Sequence, residues 1–288
     1  MNLNNLSFCC VVKNEERYIQ KLIQSILDRT EGADHCEFIF VDDNSKDATY
    51  KILQKYADED SRFKVIRNKL KGKVAGTNLA VSMAKNAYIK FIDGDDLIEG
   101  NLENLPSKFQ CLYHDYNSLN KNKIKYIKIG DWITNSNEIQ TNFRSIPKAM
   151  FIFDRLFLTK YFPIPENLPF EDLWINLIAA ESDDIEYYED SIYIYRQHSN
   201  QFYGSLDNFN NDKKIKMANR FIEYFDYLES NRHPFEFSSP KPIIRKYAEV
   251  LLSGKSIHLL KLIFSPRFFL KALVFQSSFL IRFIWKIK

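Results

Sequence analysis

Short apolar segments alternate with helical patterns over the first hundred residues, and this alternation constrains the fold more than any other feature. Four apolar segments predict strands buried on both faces, as in parallel sheets covered by helices; they are residues 6–12, 37–41, 63–67 and 88–92. Between them, apolar residues at helical spacing predict helices over residues 19–27, 47–56 and 78–87. The sequence therefore predicts an α/β fold with a mixed, mainly parallel sheet flanked by helices.

The alternation is less regular beyond residue 96. Helices are predicted over residues 102–119, 150–162 and 171–180, and strands over residues 125–129, 132–134, 185–189 and 192–195. The polar residues 205–213 are predicted to form a linker, and the chain from residue 214 onward is predicted to be helical. These predictions divide the chain into an α/β domain, residues 1–205, and a C-terminal helical region, residues 206–288.

Two acidic clusters directly follow predicted strands. Asp42 and Asp43 come after the second strand, whereas Asp93, Gly94 and Asp95 come after the fourth. Ligands of parallel sheets gather at the carboxyl ends of the strands, where a carboxylate can accept hydrogen bonds from a base or a ribose. Two carboxylates on one short loop also suit Mg²⁺ or Mn²⁺, which could bridge a diphosphate. The clusters are therefore candidate nucleotide and metal sites.

Each candidate group also has a purely structural interpretation. Residues 93–95 could be a solvated acidic turn with Gly94 in a left-handed conformation. Ser45 could be the N-cap of the following helix, with Asp47 in its first turn. Glu171 and Asp172 could be an acidic pair favoured by the helix dipole, and His198 a structural hydrogen-bonding group.

The net charge of +3 conceals an uneven distribution along the chain. No Asp or Glu follows Glu249, whereas the last 39 residues contain seven Lys and Arg, which leaves −4 for the first 249 residues. These basic residues lie among Phe, Leu and Ile, a pattern that argues against nucleic-acid binding. It predicts an interfacial helix on an anionic membrane surface over residues 256–288. Packing on the body of the protein or on a second subunit is the alternative, so a homo-oligomer stays open.

Targeting features are lacking in the sequence. The four cysteines have no metal-ligand spacing, which predicts reduced thiols. The N-terminal residues do not show the positive and then apolar pattern of a signal peptide, and no run of 18 uncharged apolar residues predicts a spanning helix. The expected location is cytoplasmic, peripheral at the inner face of the plasma membrane.

A series of motifs follows the order found in one enzyme family. They are VVKNEE at residues 11–16, VDDNSKDAT at 41–49, KVAGTN at 73–78, YIKFIDGDD at 88–96 and FED at 170–172. Over roughly residues 5–200 the chain resembles the family 2 glycosyltransferases. These are inverting enzymes of the GT-A fold, in which a Rossmann-like sheet binds a nucleotide-sugar donor.

The resemblance implies roles for individual residues by their position in the motifs. Asp42 and Asp43 would hold the nucleotide base and ribose, and Asp93 and Asp95 the metal. Asp172 would be the base that removes the acceptor hydroxyl proton. His198, in a Tyr-Arg-x-His segment, would help to bind metal or diphosphate. The residues implied to bind the donor are Val12, Asn14, Glu16, Asp42, Asp43, Lys73, Asn78, Asp93 and Gly94.

Two positions depart from the family pattern. Val11 stands where the family usually has Pro, and Thr77 stands where it usually has Arg. Without this Arg, one side chain expected to contact a phosphate of the donor is missing, and Lys73 or Lys71 is a candidate substitute.

The function implied by the resemblance is inverting, metal-dependent glycosyl transfer. The expected donor is a UDP-sugar, bound with Mn²⁺ or Mg²⁺ by residues 1–100. The acceptor, bound by residues 101–205, would be a glycan or lipid-linked glycan in bacterial surface polysaccharide or lipopolysaccharide synthesis. One alternative is a catalytically silent homologue that serves as a binding or scaffold subunit. Another is a sugar-nucleotide nucleotidyltransferase, which needs a glycine-rich loop after the first strand, where residues 13–16 contain no glycine.

Overall fold

A nine-stranded sheet organises the chain in this computed structural model, which describes residues 1–130, 146–169 and 171–198 and seven positions between 219 and 235. The strands are β1 Leu6–Val12, β2 Glu37–Asp42, β3 Phe63–Arg67, β4 Tyr88–Asp93, β5 Leu97–Ile98, β6 Cys111–Asn120, β7 Lys123–Ile127, β8 Phe151–Asp154 and β9 Ile185–Gln197. Their order across the sheet is β3, β2, β1, β4, β8, β6, β9 and β5, with β7 paired to β6.

The first four strands form a parallel half of the sheet. β1 pairs in parallel with both β2 and β4, and β2 pairs in parallel with β3. In the other half, β8 is antiparallel to β4 and β6, whereas β9 is parallel to β6 and antiparallel to β5. The predicted α/β fold with a mixed sheet is confirmed.

Helices connect the parallel strands, as the sequence predicts. The helices are α1 Ile19–Leu27, α2 Thr49–Glu59, α3 Lys73–Met83, α4 Arg155–Thr159 and α5 Glu171–Ala180. The apolar stripe of α1 is buried at Ile19, Leu22, Ile23 and Ile26. Burial of each such side chain contributes about 1.5–3 kcal/mol, so this face fixes the helix on the sheet. In α3, a Cβ added at Gly76 would lie 2.7 Å from Val11 Cγ1, so this helix backbone packs directly on β1.

Several predicted boundaries and two predicted helices are wrong. Residues 102–119 hold one short 3₁₀ turn, Leu102–Asn104, and most of β6; residues 150–162 hold β8 and the short α4. A strand buried on both faces lacks the alternation that would distinguish it from a buried helix, and pairing in the sheet decides the outcome. The helix predicted over residues 78–87 is α3, which begins at Lys73, after Gly72 with a positive φ of 99°.

The two strands predicted near residues 185–195 are one long strand, β9. Its pairing with β6 shifts register between His114 and Asn117, and this irregularity accommodates the polar residues that suggested a break. The strand predicted over residues 132–134, the linker at 205–213, the helical region from residue 214 and the basic tail lie outside the described residues.

The chain divides into two compact units. One comprises Met1–Ile139, Ser145–Asn208 and Pro234–Glu236, and it contains all the strands and helices given above. The other comprises Gln140–Arg144, Phe209–His233 and Phe237–Lys288. Within the described residues, no helix has both the length and the apolar character needed to cross a membrane.

Candidate active site

The two acidic clusters lie at the same edge of the sheet, on either side of β1. Val12 of β1 pairs with Asp42 of β2, and Val11 pairs with Asp93 of β4. Two strand spacings therefore separate Asp42 from Asp93, which is about 10 Å. The nucleoside and the diphosphate of one ligand can span this distance.

Asp42 and Asp43 are buried and held by basic and polar groups. The Ser45 backbone N–H donates to the Asp42 carboxylate, with its nitrogen 3.3 Å from Oδ1 and 3.2 Å from Oδ2. Asp42 Oδ2 also lies 3.7 Å from Arg67 Nε. Asp43 accepts hydrogen bonds from the Gly72 N–H at 2.7 Å and from Lys13 Nζ at 2.9 Å. These contacts hold both carboxylates in fixed positions at this edge of the sheet.

Arg67 is a residue at this edge that was not predicted from the sequence. It is the last residue of β3, and its guanidinium lies 4.1 Å from the centre of the Tyr50 ring, a cation–π contact. The rule that ligands collect at strand ends, applied to the third strand as well, would have identified it.

The loops after β1 and β2 are tied together by side chains predicted to bind the donor. Asn14, with a positive φ of 59°, accepts a hydrogen bond from the Lys46 N–H at 2.8 Å, and its own N–H donates to Ser45 Oγ. Glu16 Oε2 accepts from the Ala48 N–H at 3.0 Å. These contacts give Asn14 and Glu16 a role in holding the two loops together.

The predicted N-cap role of Ser45 is wrong. Helix α2 begins at Thr49, with Ala48 as the N-cap residue. Asp47 accepts a hydrogen bond from the Thr49 N–H at 3.0 Å, and the Ser45 hydroxyl instead accepts from Asn14. Asp47 therefore supports the helix start, and Ser45 supports the loop that presents Asp42.

Gly94 is required by a close approach and not by a left-handed backbone. A Cβ at this position would lie 2.9 Å from Val12 Cγ1 and 3.1 Å from Glu15 Cγ, closer than side-chain atoms normally pack. Burial, and then the charges of Asp95 and Asp93, raise the pKa of Glu15 to about 8. The first loop and the Asp93–Asp95 loop thus pack tightly on each other.

Asp93 lies between two lysines. Its Oδ1 is 2.7 Å from Lys148 Nζ and 3.1 Å from Lys73 Nζ. Although burial opposes ionisation, these two cations hold the pKa of Asp93 below its ordinary value. Lys73 is half exposed, whereas the Lys148 side chain is only 2% exposed.

The same lysines reach the acidic pair at the start of α5. Glu171 Oε1 lies 3.3 Å from Lys148 Nζ and 3.5 Å from Lys73 Nζ. Asp172 Oδ1 accepts a hydrogen bond from the backbone N–H of Lys148 at 2.9 Å. Burial raises the pKa of Asp172 above its ordinary value, although Lys148 acts against this. The structure therefore joins Asp172 to Asp93 through Lys148, a residue that sequence reasoning missed.

Asp95 and His198, which lie just beyond the ends of β4 and β9, come together. His198 Nε2 lies 3.0 Å from Asp95 Oδ2, and the His198 ring stacks on Tyr18 with 4.6 Å between ring centres. Behind them, Asp96 is fully buried and accepts hydrogen bonds from the Tyr193 hydroxyl and the Arg196 N–H, both at 2.8 Å. Arg196 Nε donates to the Asp95 carbonyl oxygen. This scaffold fixes the direction of the Asp95 loop.

Two positions in α3 have different surroundings from those expected. Asn78, predicted to bind the donor, exchanges two hydrogen bonds with the backbone of Ile164, at 2.7 and 2.8 Å. Thr77, which replaces the usual Arg, is buried, and its hydroxyl has no hydrogen-bond partner among the described residues. Lys73, one turn earlier, is the cation of this helix that reaches Asp93.

The oxygen and nitrogen atoms around Asp95 suit a metal ion that also binds a substrate. Asp95 and His198 offer one oxygen and one nitrogen ligand side by side, and Asp93 directs Oδ1 to the lysines. Among the described residues, no group of three His, Cys, Asp or Glu side chains could hold a metal ion. Mg²⁺-type sites of one or two carboxylates are completed by waters and substrate phosphates, so the residues present fit such a shared site.

A family model described as Glycosyl transferase family 2 matches residues 7–159. A curated relative, the poly(ribitol-phosphate) beta-glucosyltransferase of Bacillus spizizenii, is 28% identical over 148 residues, which are 51% of this chain and 21% of that protein. The chain also spans less than two thirds of the length of other curated relatives that it matches.

Solved structures share the fold at low sequence identity. A crystal structure of S. aureus TarS in complex with UDP has a TM-score of 0.57 at 16% identity, covering 91% of this chain and 73% of that one. The mannosyltransferase PcManGT from Pyrobaculum calidifontis, in complex with GDP-Man and Mn²⁺, has a TM-score of 0.58 at 15% identity, covering 91% and 75%. The family match covers more than half of the chain and includes both acidic strand ends. The chain therefore belongs to glycosyl transferase family 2 and has the GT-A fold.

Proposed function

We propose that this enzyme is an inverting glycosyltransferase that uses a metal-bound nucleoside diphosphate sugar, with a UDP-sugar as the expected donor. The observation that carries this proposal is that Lys148 contacts both Asp93, through its ammonium, and Asp172, through its backbone N–H. These contacts bring a strand-end carboxylate on the donor side close to a partly buried carboxylate with a raised pKa. A carboxylate with a raised pKa beside a proposed donor site is a candidate catalytic base.

The donor is proposed to lie across the ends of β2, β1 and β4. Its base and ribose would meet Asp42 and Asp43 beside Val12, and its diphosphate would meet Lys73 and the Asp93–Asp95 loop. The UDP and GDP-Man complexes of the two structural neighbours support a nucleotide ligand on this fold. The half-exposed Lys73 ammonium supports the idea that this lysine binds the phosphate in place of the arginine that Thr77 replaces.

The reaction is proposed to be a single displacement. The acceptor hydroxyl loses its proton to the Asp172 carboxylate as its oxygen bonds to C1 of the donor sugar. The bond from C1 to the diphosphate oxygen breaks, and the nucleoside diphosphate leaves with the electron pair. Attack from the opposite face inverts the configuration at C1. A divalent cation held by Asp95 and His198 would neutralise charge on the diphosphate.

The acceptor is proposed to be a bacterial surface glycan, free or linked to lipid. The name of the poly(ribitol-phosphate) glucosyltransferase relative supports this class. The proposal keeps residues 1–205 as the catalytic domain, with the donor on residues 1–100 and the acceptor on residues 101–205. A catalytically silent homologue is the second candidate, and the observation in its favour is Thr77 in place of Arg.

A donor screen separates these two candidates. Release of UDP or GDP from a panel of nucleotide sugars is measured with Mn²⁺, with Mg²⁺ and with EDTA. We expect turnover with at least one UDP-sugar in the presence of Mn²⁺ and its loss in EDTA. If no donor is hydrolysed or transferred with either metal, the silent homologue is the better account.

The basic, aromatic tail is proposed to bind anionic membranes. Its seven positive charges and the absence of acidic residues after Glu249 predict electrostatic attraction worth about 1 kcal/mol for each basic residue near the surface. We expect the full chain to sediment with vesicles of phosphatidylglycerol but not with neutral phosphatidylcholine vesicles. Replacement of Lys286, Lys288 and Arg282 by Gln should weaken sedimentation. Equal recovery with both vesicle types would contradict the proposal.

A further inference from the structure

Lys148 contacts three carboxylates of the site. Its ammonium lies 2.7 Å from Asp93 Oδ1 and 3.3 Å from Glu171 Oε1. Its backbone N–H donates to Asp172 Oδ1 at 2.9 Å. These carboxylates belong to two elements, β4 and α5, that lie far apart in the sequence. One residue therefore links both sides of the proposed reaction centre.

The segment that carries Lys148 is anchored to α5. Asn176 of that helix accepts a hydrogen bond from the Ile146 N–H at 3.0 Å and donates to the Ile146 carbonyl at 2.7 Å. Two residues later, the Lys148 backbone binds Asp172. The Lys148 backbone is thus fixed on the helix of the proposed base, while its side chain extends to the end of β4.

The burial of Lys148 makes these contacts obligatory. Its side chain is 2% exposed, and a buried ammonium without carboxylate or carbonyl partners would be strongly destabilised. Lys73 contacts the same Asp93 and Glu171 carboxylates but is 49% exposed, so its ammonium is accessible to a ligand at this edge. The two lysines therefore have different surroundings although they share partners.

We propose that Lys148 is a positioning residue that fixes the Asp172 carboxylate relative to Asp93. This inference rests on the proposed function, because it assumes that Asp172 is the base and that Asp93 lies on the donor side. A base displaced by about 1 Å loses about a hundredfold in rate, since proton removal depends on the geometry of the reacting atoms. The base and ribose of the donor would meet Asp42 and Asp43, two strands away from Asp93, so UDP affinity depends much less on that geometry than proton removal does.

The test uses the full chain and the UDP-sugar with the highest turnover in the donor screen. Lys148→Met keeps most of the side-chain volume and removes the charge, and Lys148→Arg keeps the charge. Lys64→Met is the matched control, because Lys64 is ion-paired with Glu37 at the opposite, amino-terminal edge of the parallel strands. For each variant, kcat is measured together with the Kd for UDP in Mn²⁺ by calorimetry, and circular dichroism verifies folding.

Lys148→Met is expected to lower kcat by about a hundredfold with a UDP Kd within threefold of the wild type. Lys148→Arg should recover part of this loss, and Lys64→Met should leave both constants unchanged. A Lys148→Met kcat within threefold of the wild type would overturn the inference, as would equal losses of kcat and UDP affinity or a matching kcat loss in Lys64→Met. A wild type without turnover would instead overturn the proposed function, and this inference with it.

Discussion

Replacement of Asp172 by Asn is expected to lower kcat by about a thousandfold, because the loss of a general base costs 10²–10⁴-fold. The amide oxygen of Asn can still accept the Lys148 N–H, so the local structure should persist. The Kd for UDP in the presence of Mn²⁺ should change little, since Asp172 is proposed to act on the acceptor. Rapid-quench assays of UDP release, with calorimetry for UDP binding, measure both quantities.

The pH dependence of the wild type provides a second test of Asp172. The carboxylate must be deprotonated to accept the acceptor proton, so kcat should fall as the pH falls through its pKa. Because burial raises that pKa, the fall should begin above the ordinary aspartate value of about 3.9.

The matched control for this substitution is Asp154→Asn. Asp154 also accepts a backbone N–H at a helix start, from Phe157 at 2.7 Å, but it lies outside the proposed site. Asp154→Asn should keep the wild-type kcat. An Asp172→Asn enzyme that retains more than a tenth of the wild-type kcat would assign the base role to another group.

Replacement of Asp95 by Asn is expected to weaken Mn²⁺-dependent UDP binding by about a hundredfold. Loss of a group that only hydrogen-bonds to a metal ligand costs about 10–100-fold in metal affinity, and Asp95 is proposed to bind the metal directly. The amide keeps the shape of the side chain but removes the negative charge beside His198. Calorimetric titration of UDP with and without Mn²⁺ isolates the metal-dependent part. UDP binding in EDTA should be the same for the variant and the wild type.

His198→Ala should produce a smaller loss in the same titration, because Asp95 remains in place. Asp60→Asn serves as the control, since Asp60 is paired with Arg62 at 2.7 Å, away from the candidate metal ligands. If Asp95→Asn retains the Mn²⁺ dependence of the wild type, the metal is bound by other residues.

The parallel half of the fold could be predicted from the sequence because its strands are continuous apolar segments. β1 and β3 have the predicted bounds, and β2 and β4 extend one residue further, to Asp42 and Asp93. The second half was harder to predict. β6 carries His114, Asp115 and Asn117 in its interior, and such polar residues obscure a strand whose partners come from distant parts of the chain.

Part of the candidate site could likewise be predicted from the sequence and part could not. The strand-end carboxylates could be located because ligands of parallel sheets bind at the carboxyl ends of the strands. Lys148 could not, since only tertiary contacts show that a single lysine in an apolar segment reaches Asp93 and Glu171. The amide of Asn78 likewise binds Ile164, 86 residues away, which no local pattern indicates.

The most direct test of the account is the position of Mn²⁺ in crystals of the full chain grown with UDP and MnCl₂. Anomalous diffraction locates the ion without reference to the assigned roles. The account predicts one anomalous peak within coordination distance of Asp95 and the UDP diphosphate, with the uracil and ribose beside Asp42 and Asp43. A peak remote from Asp95, or UDP bound away from the ends of β1, β2 and β4, would contradict it.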